Sequence, residues 1–323
     1  MKKGQQVYNF ALSWSEYKGR PFITWLKEEC EYKKMSFLWC HDGNVSKIIG
    51  KLENKRIRIE FLWDMDATYT VPGDPYARLC YAVKDTGGKV VDEPDTTRLA
   101  IDKSISHYKL RDAGVPTPFT IIVRNWRPDT FRITKEEKKK LGFPFVIKPA
   151  TGYGRVGVVM DANWRISDIA QARNFNRGDN FLLQEKIQPV KFDRKIGWFR
   201  VFYVFGEVIP LWWHPLLGEY EHVTLKEMVD FKLLPLVRIS TKIAQATGME
   251  WFSSEIAVYD RGEGKKFAVI DYVNDQCDVQ IKSQVRYAPP DNVILHITER
   301  FVDIAWRLRN KKELQKGNTI WLG

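Results

Sequence analysis

The chain has 323 residues, 44% of them hydrophobic and 13% aromatic, which excludes a disordered protein and leaves room for two or three domains with cores of their own. Its 51 Lys and Arg outnumber 40 Asp and Glu, and the resulting net charge of +11 favours anionic partners such as nucleotides, phosphorylated metabolites or nucleic acid. The four cysteines, Cys30, Cys40, Cys80 and Cys277, form no C-x-x-C pair, so neither a zinc site nor a disulfide framework is indicated and a reducing cytoplasm suits the chain.

Residues 7–12 read as a strand, and Asn9, Ser13 and Ser15 keep the surrounding apolar segment from the length of a secretion signal. No run reaches the ~20 apolar residues of a membrane span. Pro21 opens a helix with Phe22, Trp25, Leu26 and Cys30 at helical spacing. Strands at 36–40, 57–62 and 88–91 alternate with helices at 45–52 and 75–84, a β-α-β-α order that implies a small parallel sheet with helices on its faces. His41 to Asn44, and Asp64 with Asp66, fall at strand ends, where open α/β sheets collect ligands, and turn chemistry explains them equally well.

From Pro94 the register changes. Behind Thr96 and Thr97 a single helix is expected through Leu99, Ile101, Ile105 and Leu110, ending at Gly114. Pro116 and Pro118 then fix an extended entry into a strand at 119–123. Thr134 caps a lysine-rich helix that ends at Leu141, with Gly142 in the terminal position.

Phe143 to Val159 organises the chain. Phe143, Phe145, Val146 and Ile147 suit a strand ending on Lys148-Pro149, and a second strand is expected at 156–160. Between them Gly152, Gly154 and Gly157 free the backbone to fold over an anion with its N–H groups pointing inward, a device for holding phosphate. The spacing also fits a dinucleotide fingerprint, but β-type sequence follows where that motif needs a helix. It fits the glycine-rich hairpin of protein kinases as well, but there the phosphate lysine lies downstream, and here Lys148 lies upstream. No Gly-Lys-Ser/Thr closes a Walker A loop.

Beyond it a helix is expected at 168–173, strands at 181–187, 199–205 and 207–212, and one long helix at 224–247. Strands at 251–259 and 266–273 and a last helix at 291–309 complete the pattern. Trp212, Trp213 and Pro215 could present aromatic faces to a sugar or peptide or form a buried cluster, His214 is a candidate base, and Trp164, Trp198 and Trp251 are expected in the core.

The order of pieces, with Asp102-Lys103 before Gly114-Val-Pro-Thr-Pro118, then Lys148 and the glycine loop, Gln184-Glu185-Lys186-Ile187, Arg200 and the cluster near Asp271, resembles the ATP-grasp superfamily. The likeness is to its branch of D-alanine:D-alanine ligases and glutamate ligases, and it runs over roughly residues 1–310. It implies an α/β fold, α+β in the catalytic lobes, with a parallel-sheet domain at 1–98, a small lobe at 99–185, a large lobe at 186–310 and a tail at 311–323. Lys103 and Lys148 would hold phosphates, with Thr151, Gly152, Tyr153, Gly154 and Gly157 as the lid. Gln184, Glu185, Lys186 and Ile187 would form the adenine hinge and Asp193 would meet the ribose. Arg200 and Lys148 would serve the transfer, and Asp271, Asn274 and Glu255 would hold one or two Mg²⁺. The chain departs from the superfamily's Glu-x-Asn, since two residues separate Asp271 from Asn274, with Asp275 and Asp278 beyond, and Ser253 stands where an arginine is usual.

The resemblance implies an ATP-dependent ligase joining a small-molecule or peptide carboxylate to an amine through an acyl-phosphate, in the cytoplasm. A kinase of the same fold and a nucleotide-responsive nucleic-acid-binding module are the alternatives. A homodimer is compatible with the reading, and nucleic acid is not an expected partner, because no recognised motif accompanies the charge.

Overall fold

The computed structural model describes residues 4–15, 20–124, 132–152, 154–163, 166–173, 178–314 and 318–323. The chain begins with β1 (Gln6–Tyr8), β2 (Phe10–Ser13), α1 (Arg20–Tyr32), β3 (Phe37–Cys40), α2 (Val45–Glu53), β4 (Ile57–Ile59), β5 (Phe61–Asp64), α3 (Pro75–Asp85) and β6 (Lys89–Val91). Four of these strands form a parallel sheet in the order β3-β2-β5-β6, while β1 and β4 pair separately. The expected β-α alternation is present, but the strands expected at 7–12 and 57–62 are each divided, at Asn9 and Glu60, whose side chains bond at 2.9 Å.

The next elements are α4 (Pro94–Ile101), α5 (Lys103–Asp112), β7 (Thr120–Val123), α6 (Lys135–Leu141), β8 (Phe145–Pro149), β9 (Val159–Ala162), α7 (Ile166–Arg173) and β10 (Phe181–Glu185). The strands form an antiparallel sheet in the order β7-β10-β8-β9. The single helix expected through Leu110 is two. Asp102 turns extended (φ −73°, ψ 102°) and its carboxylate caps α5 by accepting from the N–H groups of Ser104 at 2.8 Å and Ile105 at 3.2 Å. The strand expected at 156–160 begins only at Val159, because residues 154–157 form a turn. Thr134 does cap α6, in a capping box with Glu137.

The remaining elements are β11 (Lys191–Phe192), β12 (Lys195–Ile196), β13 (Trp198–Val204), β14 (Glu207–Trp213), β15 (Tyr220–His222), α8 (Leu225–Asp230), α9 (Pro235–Thr247), β16 (Trp251–Asp260), β17 (Lys265–Asn274), α10 (Asp291–Arg309) and β18 (Thr319–Ile320). A six-stranded sheet runs β15-β14-β13-β16-β17, with β18 alongside β14. The long helix expected at 224–247 is also two, since Pro235 has no N–H to continue a helix and instead opens α9.

One core joins the two ends of the chain. Phe10, Leu12, Phe61 and Trp63 of the parallel sheet pack with Phe202, Val204 and Trp251 of the six-stranded sheet, and Ile297, Phe301 and Val302 of α10 lie among them. The other face of the six-stranded sheet packs on α9 through Val201, Phe252, Ile256 and Ile239, in a core that also takes Leu110 of α5. All four cysteines are buried and unpaired.

Candidate active site

The antiparallel sheet and the six-stranded sheet face each other across a cleft of about 460 Å³. Its polar lining comes from elements distant in sequence. Lys103 is the first residue of α5 and Lys148 lies near the end of β8, while Glu255 and Asp271 stand side by side on β16 and β17. Arg200 on β13 pairs with Glu255 in register, so Arg200, Glu255 and Asp271 form one row across the sheet, on one face.

The row is electrostatically closed except at one point. Arg200 donates to Glu255 Oε1 at 2.7 Å, and Trp198, on the same face two residues earlier, donates its indole N–H to Oε2 at 3.1 Å. Burial pushes the Glu255 carboxyl up, against the pull of Arg200. Burial also opposes ionisation of Asp271, but Lys103, Lys148 and Arg200 outweigh it and hold that carboxylate below its ordinary range. Lys103 Nζ is 3.7 Å from Asp271 Oδ1, beyond hydrogen-bond reach, and Oδ1 is buried without a hydrogen-bond partner. An unsatisfied buried carboxylate oxygen beside two lysines is an acceptor waiting for a cation.

Lys148 is 8% exposed, its ammonium donates to the carbonyl of Ile270 at 2.6 Å, and burial drags its pKa down to about 8 despite Asp271. Lys103 Nζ also reaches the carbonyl of Gly152 at 3.4 Å. At Gly152 (φ 145°) and Gly154 (φ 60°) the loop takes conformations that favour glycine, and both residues line the cleft.

Glu185 ends β10. Its side chain accepts from the N–H of Phe119 at 3.3 Å and pairs with Arg261, so its position is fixed, and Lys186, Ile187, Gln188 and Pro189 continue along the wall. Lys186 pairs with Asp161 of β9. Gln184 is buried behind the wall, donating to the Tyr272 hydroxyl at 3.2 Å and to Thr120 Oγ1 at 3.3 Å. The same hydroxyl meets His107 Nδ1 at 2.7 Å.

Thus the structure gathers Lys103, Lys148, Gly152, Gly154, Gln184, Glu185, Lys186, Ile187, Glu255 and Asp271 at the cleft, with Arg200 bonded to Glu255 behind it. Thr151, Gly157, Asp193 and Asn274 are not among the lining residues. Thr151 is held by Asp179 through its N–H at 2.7 Å and its hydroxyl at 2.9 Å, Gly157 closes the 154–157 turn, and Asp193 sits at the β11–β12 corner with φ 52°. Asn274 pairs with Ser253, two positions from Glu255, although Asn274 itself stands three positions from Asp271. A bulge in β17 absorbs the extra residue and returns Asn274 to the face of Asp271. Tyr153 and Trp164 lie outside the described residues.

Other expectations are corrected. Trp198 was expected in the core but lines the cleft, and its period-2 spacing from Arg200 is the signal that places it on the functional face. Arg155, which no motif in the sequence singles out, also lines the cleft. Trp212 and Trp213 are buried, and His214 is engaged in its own turn, its Nδ1 accepting from the N–H groups of Leu216 at 3.3 Å and Leu217 at 3.1 Å. Asp64 accepts from the N–H groups of Asp66 at 3.3 Å and Ala67 at 3.2 Å, which is turn chemistry, and also from Ser13 Oγ at 2.5 Å and the Tyr69 hydroxyl at 3.1 Å.

No protein-family model matches the chain. A stretch of 75 residues is 35% identical to the D-alanine–D-alanine ligase of Rhodococcus jostii (strain RHA1), covering 23% of this chain and 20% of that protein. A second, of 93 residues, is 27% identical to the D-alanine–D-alanine ligase of Corynebacterium jeikeium (strain K411), covering 29% and 24%. The matches therefore span about a fifth to a quarter of these curated relatives. Solved structures align over almost the whole chain. An ATP-grasp RimK domain protein from Sphaerobacter thermophilus DSM 20745 superposes with a TM-score of 0.61 at 16% identity, covering 91% of this chain and 98% of that one. The D-alanine–D-alanine ligase of Bacillus anthracis, solved with ATP, gives 0.60 at 14% identity, covering 94% and 99%.

The chain has the ATP-grasp fold. An ATP-grasp neighbour has been solved with Mg and ADP. Magnesium fits the residues present here, because Asp271 Oδ1 is an orphaned hard-oxygen acceptor with Glu255 adjacent and the Asn274 amide on the same face. Among the described residues no group of three or more His, Cys, Asp or Glu is arranged to hold a metal by itself. Among the described residues, too, no helix is long and apolar enough to cross a membrane.

Proposed function

We propose that the protein is an ATP-dependent ligase that joins a carboxylate to an amine through an acyl-phosphate. The observation that carries this is the convergence of Lys103, Lys148, Glu255 and Asp271, from four separate elements, on one cleft that the glycine loop also lines, with Arg200 of a fifth element bonded to Glu255 behind them. Three cations beside two carboxylates make an array suited to positioning and neutralising a polyanion together with a divalent counter-ion.

In this reading the backbone at Glu185 to Ile187 receives the adenine, and Lys103 and Lys148 approach the phosphates from different elements. Arg200 faces the transferred phosphoryl group, where charge develops, and Glu255 fixes its direction from behind. Asp271, Glu255 and Asn274 would hold one or two magnesium ions, whose contribution when bound is to neutralise phosphate charge and polarise the γ-phosphoryl group. The substrate carboxylate attacks the γ-phosphorus, ADP leaves, and the amine displaces phosphate from the acyl-phosphate. Closing the lid over Gly152 and Gly154 shields that anhydride from water. In this reading residues 1–98 are an N-terminal parallel-sheet domain, 99–185 the small lobe and 186–310 the large lobe, with 311–323 as a tail.

Calorimetry of the purified chain with ATP and Mg²⁺ tests the nucleotide half. Binding is expected for the wild type, and Lys148→Ala is expected to weaken it by roughly a hundredfold, the worth of a charge-assisted hydrogen bond inside a dry site. The reaction half is tested by screening carboxylates and amines for phosphate release and weighing the products. Condensed product plus free phosphate supports the ligase, whereas a phosphorylated acceptor would show a kinase instead.

A further inference from the structure

The end of the cleft away from the hinge carries features that nucleotide binding does not use. Arg155 rises from the glycine loop with φ 62°, lines the cleft and donates to the carbonyl of Pro215. Its guanidinium carbon lies 5.7 Å from the Trp213 ring centroid, and that of Arg200 lies 4.7 Å from the same centroid. Neighbouring cations are matched, Lys103 by Asp271, Lys186 by Asp161 and Arg200 by Glu255, whereas Arg155 has no acidic partner among the described residues. One bond to a carbonyl leaves a guanidinium several N–H donors for an incoming anion.

Beside this charge stands a fixed apolar rim. Leu216 lines the cleft and is 82% exposed, Leu217 is 54% exposed and Tyr287 is 52% exposed. Tyr287 packs on Gly218 of the same turn, 3.7 Å from the position a Cβ would take. The turn is also held in place, by the His214 ring under it and by Arg286 on Glu219 at 2.9 Å. A single exposed leucine means nothing, but Leu216 in the cleft, with Leu217 beside it in a pinned turn on which Tyr287 packs, and all of this next to an unmatched guanidinium, describes complementarity to one kind of molecule.

We infer that this end of the cleft binds the carboxylate substrate, that the substrate carries a branched or aromatic apolar group close to its carboxylate, and that Arg155 and Leu216 select it. The guanidinium takes the carboxylate and the rim covers the apolar group. The inference deepens the ligase reading, on which it rests for the reaction but not for the binding.

The test is calorimetry on the full chain loaded with Mg²⁺ and a non-hydrolysable ATP analogue, titrated with 4-methylpentanoate, 3-phenylpropanoate, acetate and succinate. The first two are expected to bind roughly tenfold or more tighter than the last two, the discrimination an apolar pocket achieves. Leu216→Ser should erase most of that preference, and Arg155→Met should weaken all four acids. Leu225→Ser, at a 69% exposed position on α8, should change none of them. Equal affinities, a preference for succinate, absence of any binding, or an unchanged preference in Leu216→Ser would each overturn the inference. Hydroxamate formation from the same acids with ATP, Mg²⁺ and hydroxylamine tests the ligase reading separately. If the binding preference holds and no hydroxamate forms, the subsite stands and the ligase reading falls.

Discussion

Lys148 shows how a single residue sets a measurable limit on the site. Burial disfavours its ammonium more strongly than Asp271 supports it, so its pKa falls from 10.5 to about 8. A bound polyphosphate would restore the charge, which means that nucleotide binding above pH 8 must take up a proton. ATP affinity is therefore expected to be flat below about pH 7.5 and to fall above pH 8, by up to about tenfold per pH unit. Folding responds with the opposite sign. Between about pH 8 and 10.5 the unfolded chain binds more protons at this lysine than the native one, so this residue makes stability rise with pH over the window in which affinity drops. Titrating ATP binding from pH 6.5 to 9.5 checks this, and a wild-type profile with no decline above pH 8 would show that Lys148 does not carry the charge. Lys148→Arg, whose cation does not titrate there, should flatten the profile whatever it does to absolute affinity.

At the scale of elements, the site depends on three that meet behind it. Tyr272 of β17 receives Gln184 of β10 and His107 of α5, and these residues are next to Asp271, next to Glu185 and one helical turn from Lys103. Burial holds the His107 ring neutral, with a pKa near 4. Tyr272→Phe would take the shared partner from His107 and leave Gln184 with Thr120 alone, at a cost of about 1–3 kcal/mol. Urea denaturation should show a loss of about 1–3 kcal/mol, and ATP affinity should fall with it. Normal stability with the hydroxyl gone would mean that the tie does not hold these elements. The tie was not legible in the sequence, where His107 and Tyr272 stand among ordinary core neighbours and Gln184 is singled out only for the hinge. What was legible obeyed local rules. The helix at 291–309 follows from Pro290 and its apolar spacing, and Thr134 with Glu137 announces α6. The break at Asp102 escaped because apolar positions run on through Leu99, Ile101 and Ile105, and the cause is tertiary. The N–H of Lys103 bonds to the carbonyl of Ala150 at 2.9 Å instead of continuing the helix. The lysine of α5 and the base of the glycine loop are thereby tied together, a contact between residues 47 positions apart that no local pattern reports.

For the whole molecule, the decisive feature is that the last long helix completes the first sheet. Phe301 of α10 stacks on Trp63 of β5 at 3.6 Å between centroids and meets Trp251 of β16 at 5.3 Å and Phe205, after β13, at 5.2 Å. The parallel sheet and the six-stranded sheet therefore share an aromatic cluster, and opening either exposes the other. The antiparallel sheet differs, since one of its faces has a small core of its own, with Phe145, Ile147, Phe181 and Leu183 on Leu141 and Val123. Such an arrangement puts the Arg200, Glu255 and Asp271 row on the shared, larger core and the glycine loop on a separate, smaller unit. Phe301→Ala is expected to cost about 3–5 kcal/mol, as for a large ring removed from a filled core. Because the cluster is shared, native-state hydrogen exchange should show β5 and β13 losing protection together and by similar amounts. Phe145→Ala should instead lower protection in β7, β8 and β10 and leave β5 and β13 nearly unchanged. If Phe301→Ala loosened β5 alone, the parallel sheet would be an independent unit that merely touches the ATP-grasp jaws, and the substrate end of the cleft would lack the rigid frame on which the selection by Arg155 and Leu216 depends.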